Sequence, residues 1–103
     1  MESDRYVYRA DLLRDTPAAV RFVSAEPLLG PLPSLDLTGI GWLIVGGESG
    51  SGARPMDPEW VQDLVDRADA AGTAVFVKQA SGLYPGKQGN LPDYLWRRKE
   101  YPR

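Results

Sequence analysis

The stretch that decides the fold is GWLIVGGESGSGARPMDPEWVQDLVDRADAAGTAVFVKQ, from Gly41 to Gln79. Ile40 to Val45 is the most apolar run in the chain, which predicts a central strand buried on both faces. It ends abruptly in the polar loop Gly46-Gly47-Glu48-Ser49-Gly50-Ser51-Gly52. Asp57-Pro58-Glu59 then supplies an N-cap, a proline at the first helical position and an acid in the first turn. Trp60, Val61, Leu64, Val65, Ala68 and Ala71 recur at spacings of three and four, and Gly72 follows as a left-handed cap, so a helix is expected over Pro58 to Ala71. Thr73 to Val77 is a β-branched strand leading into Lys78-Gln79. Strand, loop, helix and strand make a βαβ unit, with parallel strands and a right-handed crossover.

Outward from this unit, Val20 to Ala25 reads as a buried strand stopped at Glu26-Pro27. Leu28 to Leu37, with prolines at 31 and 33, cannot hold a regular helix of any length, so an irregular crossover joins the first two strands. Tyr6 to Leu13 suits a short helix ended at Thr16-Pro17, and residues 80–103 form a Gly/Pro-containing C-terminal tail lying over the sheet. The expected fold class is α/β, a small parallel sheet of about three strands in a single truncated domain spanning residues 1–103.

The chain has 103 residues, with 12 basic against 14 acidic ones and a net charge of −2, so no global field favours nucleic acid or an anionic membrane. It has neither cysteine nor histidine. Disulfides, thiolate nucleophiles, Cys- or His-ligated zinc and a cysteine-held iron–sulfur cluster are therefore beyond its own side chains. Acid–base work near neutral pH would need a shifted Glu, Asp, Lys or Tyr, so catalysis is disfavoured, no catalytic residue is assigned, and no cofactor or metal is expected. With no apolar h-region at the start and no long apolar run, the expected location is the cytoplasm.

In parallel α/β sheets, ligands bind beyond the carboxyl ends of the strands. Those ends bring Ser24 and Glu26, then Glu48, Ser49 and Arg54, then Lys78 and Gln79 toward one rim. Such a set either closes the sheet end as an ion-pair network, the reading favoured by the missing histidine and cysteine, or binds a small polar molecule. The glycine loop has neither GxGxxG order nor a terminal GK[ST], and Arg54-Pro55-Met56 separates it from the helix, so release of the chain from the strand is favoured over a phosphate-binding loop. Near the end, Tyr94, Trp96, Arg97 and Arg98, with Lys99 and Tyr101, mix cations and aromatics. This is a candidate interaction segment, and too short a cluster to grip nucleic acid.

At RFVSAEPLLGPL (21–32), GWLIVGGESGSGARPMDPEWVQDL (41–64) and FVKQ (76–79), the chain resembles the C-terminal part of a phage-associated family of radical-SAM-like proteins, named from numbered phage gene products and of unknown biochemical function. The likeness starts at DLLRDTPAAVRF (11–22) and continues less closely into LPDYLWRRKEYP (91–102). It implies the last few units of a partial (β/α) barrel, lacking the half that carries a three-cysteine motif for a [4Fe–4S] cluster. Gly46-Gly47-Glu48 spells a tripeptide that contacts the methionine amino group in many radical-SAM enzymes, but there it follows an early strand, so that role is not transferred to Glu48. Family members often show KQWG-like residues where this chain has Lys78-Gln79-Ala80-Ser81-Gly82, so the aromatic of that segment is missing here.

A three-stranded parallel sheet with one good helix leaves an edge and an apolar face to cover. Candidate covers are a second copy of the chain, a separately encoded half, another host or phage protein, or the chain's own tail. The expected function is therefore protein–protein binding by a non-catalytic phage- or prophage-type protein, with homodimerisation the first choice. The alternative is a subunit that completes a split barrel and contributes Glu26, Glu48, Arg54, Lys78 and Gln79 to a substrate or S-adenosylmethionine pocket.

Overall fold

The computed structural model describes residues 21–102, so the helix expected over Tyr6 to Leu13 lies outside the described residues. Helix α1, Pro58–Ala71, has the bounds expected from its signals. The Asp57 side chain accepts from the Glu59 backbone N–H at 2.9 Å, Pro58 occupies the first turn, and Gly72 caps the end at φ 74°. Val61, Leu64, Val65 and Ala68 are its buried stripe. Strands β1 (Phe22–Ala25), β2 (Trp42–Gly46) and β3 (Ala74–Gln79) form a parallel sheet in the order β1-β2-β3. Phe22 pairs with Trp42, and Ile44 with Phe76.

The two faces of this sheet differ. Val23, Ala25, Leu43, Val45, Val75 and Val77 are buried on the side packed into the core with α1. The irregular β1–β2 crossover contributes Leu28, Leu32, Leu35, Leu37 and Ile40 to the same core. Its carbonyls are satisfied from α1 and the start of β3: the Arg67 guanidinium donates to the Leu32 and Leu35 carbonyls, and the Thr73 hydroxyl to that of Ile40 at 2.8 Å. The other face alternates with the first, as a period of two requires. It presents Phe22, Ser24, Trp42, Ile44, Phe76 and Lys78, none of them buried. Burial of β2 on both faces, expected from its apolar run, therefore holds for one face; on the other, Trp42 and Ile44 are half-buried, and among the described residues no helix packs over them.

The tail does more than lie over the sheet. After a short helix α2, Asp93–Trp96, residues 98–100 run antiparallel along the outer edge of β3. The four backbone groups of Val75 and Val77 are met there. Val77 N–H donates to the Arg98 carbonyl and Glu100 N–H to the Val75 carbonyl, both at 2.8 Å. Val75 N–H donates to the Glu100 carboxylate at 2.9 Å, and the Lys99 ammonium donates to the Val77 carbonyl. The strap is anchored by the Trp42 indole N–H on the Glu100 carbonyl, 2.9 Å, and by Tyr101 against the Trp42 and Phe76 rings. Edge capping by a chain's own side chains blocks strand addition by another molecule. Glu100→Ala should cost about 1–3 kcal/mol, because it leaves the N–H of fully buried Val75 without an acceptor. Glu100→Gln, which keeps an oxygen acceptor, should recover most of that loss in urea denaturation.

Candidate functional site

The carboxyl ends of the strands do gather the residues expected there, but as separate constellations. Glu26 follows β1 and Lys78 closes β3, and their side chains meet at 3.1 Å across the end of β2. Gly46 makes this crossing possible, since a Cβ there would lie 3.0 Å from the Glu26 carboxylate oxygen. Below the pair lies a groove of about 300 Å³ lined by Glu26, Trp42, Ile44, Phe76, Lys78 and Tyr101. Its floor is aromatic: the Trp42 and Phe76 rings meet edge to face at 6.4 Å, and Tyr101 sits 6.0 and 5.6 Å from them. One acceptor and one donor above an apolar floor can orient a polar group that enters the groove.

Glu48 and Arg54 form the second constellation. The Arg54 guanidinium donates to both carboxylate oxygens, at 3.1 and 2.6 Å, and the Arg54 backbone N–H adds a third bond at 2.9 Å. These bonds, the side-chain ones first, hold the Glu48 carboxyl down at about 2 against an ordinary 4.5. A depressed folded value contributes stability that is present above about pH 4.5 and lost as the pH falls through about 2. The gap in urea midpoint between the native chain and Glu48→Gln should thus be widest near neutral pH, narrow as the pH falls below about 4.5, and close only below about pH 2. Added salt should shrink it, because the pair is partly solvated.

Gln79 is buried and structural. Its amide donates to the Gly47 carbonyl at 2.8 Å and accepts from Gly86 N–H at 3.0 Å. Ser49 forms an isolated parallel bridge with Gly82. Gly47 N–H is taken by the Gln79 carbonyl and Gly50 N–H by the Gly82 carbonyl, so these amides do not form a phosphate cradle. The rim favoured as an ion-pair network is thus two ion pairs and one buried amide.

In the C-terminal segment, Tyr94 is exposed and Arg97 turns its guanidinium back to the Asp93 carbonyl. Arg98 pairs with Asp69 on α1 at 2.6 Å and with Glu100 at 3.3 Å, which raises its already high pKa. Trp96 is half-buried, with the Lys99 ammonium 3.5 Å over its ring, and burial lowers the Lys99 pKa. The cations are spent on internal contacts and do not form one basic surface. Sequence reading expected an apolar face left to cover but missed its aromatic make-up. Its signal was the alternation of Phe22, Trp42 and Phe76 against Val23, Leu43 and Val75, which becomes readable once the three strands are aligned.

One protein-family model, described as a protein of unknown function (DUF5131), matches residues 1–97. The chain belongs to the DUF5131 family. No curated protein and no solved structure matches it. For this DUF5131 chain, the βαβ order and the parallel sheet agree with the fold expected from its motifs and are compatible with a segment of a (β/α) barrel. Among the described residues, no helix is long and apolar enough to cross a membrane, and no group of acidic residues could hold a metal ion.

Proposed function

We propose that this chain is a non-catalytic protein-binding module of phage or prophage type, acting in the bacterial cytoplasm through the open face of its sheet. The observation that carries the reading is the contrast between the faces. One is sealed by α1 and the crossover, while the other shows Phe22 46% exposed and Tyr101 67% exposed beside Trp42, Ile44 and Phe76. Parallel sheets are ordinarily covered on both faces, and a contiguous exposed apolar patch marks an interaction site. The resemblance to the C-terminal part of radical-SAM-like phage proteins supports it, because the corresponding face of a (β/α) barrel is the interior.

A second reading is a subunit that completes a split barrel. The Glu26–Lys78 pair favours it, since it stands over the groove at the carboxyl rim where barrel ligands bind. In that assembly the cysteines for a cluster come from the companion, as this chain has none to offer, and S-adenosylmethionine or a substrate lies in the shared groove. The test is affinity capture from host lysate with the native chain and with Phe22→Glu, a change at an exposed position. The expected result is a stoichiometric protein, a second copy of the chain included, held by the native chain and lost by the folded variant. Equal capture by both would overturn an open-face interface, and a captured cysteine-bearing chain would select the split barrel.

A further inference from the structure

We infer that the open face binds a second copy of the same chain, about a two-fold axis parallel to the strands. The inference rests on the open face being a protein-binding surface and names its occupant. Because the sheet order is β1-β2-β3 and all strands run parallel, a rotation about such an axis keeps the strand direction. It sets β2 against β2 and β1 against β3 of the second copy. The carboxyl ends then lie at the same end of both sheets. Glu26, which follows β1, comes opposite Lys78 of the second copy, and Lys78 opposite its Glu26. The result is four charges alternating around the axis.

The face thus carries one acid and one base in the arrangement that a two-fold makes self-complementary. A partner surface of a single sign would meet a like charge on one side. Both groups are within reach, with the Lys78 side chain 54% and the Glu26 side chain 26% exposed. At the amino end of the strands, the same operation sets Phe22 against the Phe76 and Tyr101 side of the second copy. Exposed ring area is thereby turned toward exposed ring area. Ile44, in the middle strand, lies near the axis and faces its own counterpart. The strap over the outer edge of β3 is left in place, so the association is face to face and needs no strand exchange.

The test is sedimentation equilibrium of the purified chain from ~1 to ~100 μM, with far-UV circular dichroism to show that each variant is folded. A monomer–dimer equilibrium is expected for the native chain. Lys78→Glu, with two acids on the rim, and Glu26→Lys, with two bases, should each dimerise about ten-fold more weakly or worse, while their equimolar mixture associates at least as tightly as the native chain. Ile44→Lys should be monomeric. A native chain that stays monomeric at ~100 μM overturns the proposal. So does a dimer indifferent to the rim and Ile44 variants, which would place the interface elsewhere. A monomer that still captures a lysate protein lost by Phe22→Glu sinks the homodimer and leaves the protein-binding reading standing.

Discussion

Alanine at Leu43 is expected to lower the unfolding free energy by about 4 kcal/mol, since a buried leucine loses both its transfer energy and the packing around the cavity it leaves. Leu43 is fully buried in the middle of the central strand, with Val23 and Val75 as its register partners. A domain of this length holds roughly 5–15 kcal/mol in all, so the variant should sit near the folding threshold, with its thermal midpoint roughly 15–30 °C lower. The informative control is its neighbour. Ile44→Ala truncates the same strand on the half-buried face and should cost a fraction of that amount, about 1 kcal/mol. Losses of equal size in urea titrations of the two variants would mean that the second face is sealed too, which would remove the surface on which the functional reading depends.

Gly47→Ala should cost about 3 kcal/mol, at the upper end of what overpacking does, because the atoms in the way are backbone. A Cβ there would run into the Ser81 nitrogen, and would stand 2.7 Å from the Ser81 Cα and 2.8 Å from the Ala80 carbonyl carbon. The segments cannot part without loss. Gly47 N–H and carbonyl are bonded to Gln79, and Glu48 and Gly50 exchange bonds with Gly82. Gly46→Ala offers the comparison: its Cβ would meet only the mobile end of the Glu26 side chain. That variant should melt within a few degrees of the native chain while displacing Glu26 from Lys78. Thermal denaturation separates the two, and similar midpoints would mean that the contact between residues 47 and 81 is looser than the structure shows.

The elements with local signals were legible in the amino-acid order. Helix α1 carries its own start and stop, Asp57-Pro58 and Gly72, and both act through atoms within a few residues, so its bounds agree with expectation. Strand bounds shifted by one or two residues, β3 from 73–77 to Ala74–Gln79 and the central strand from 40–45 to Trp42–Gly46. A strand ends where its neighbours stop pairing, which is a property of three segments and not of one.

For the candidate site, the residue types at the strand ends were legible and their partners were not. Glu26, Glu48, Arg54 and Lys78 formed one undivided rim in sequence, and the structure sorts them into Glu26 with Lys78 and Glu48 with Arg54. That division is set by which strand lies between the others and by the missing side chain of Gly46. The Arg97-Arg98-Lys99 cluster changed meaning for the same reason: once the tail is folded back, Arg98 is matched by Asp69 and Glu100, Lys99 lies over the Trp96 ring, and Arg97 donates to the Asp93 carbonyl.

By itself, the sequence determined the α/β class, the βαβ order, the capped helix and the absence of cysteine and histidine chemistry, because periodicity, capping and side-chain inventory are local properties. Only the tertiary structure decided that, among the described residues, one sheet face is sealed and the other open, that the tail closes the β3 edge, and that Glu26 reaches Lys78 over an aromatic groove. Those facts depend on strand register and on which segments return to meet the sheet, and contacts between residues tens of positions apart leave no period in the sequence.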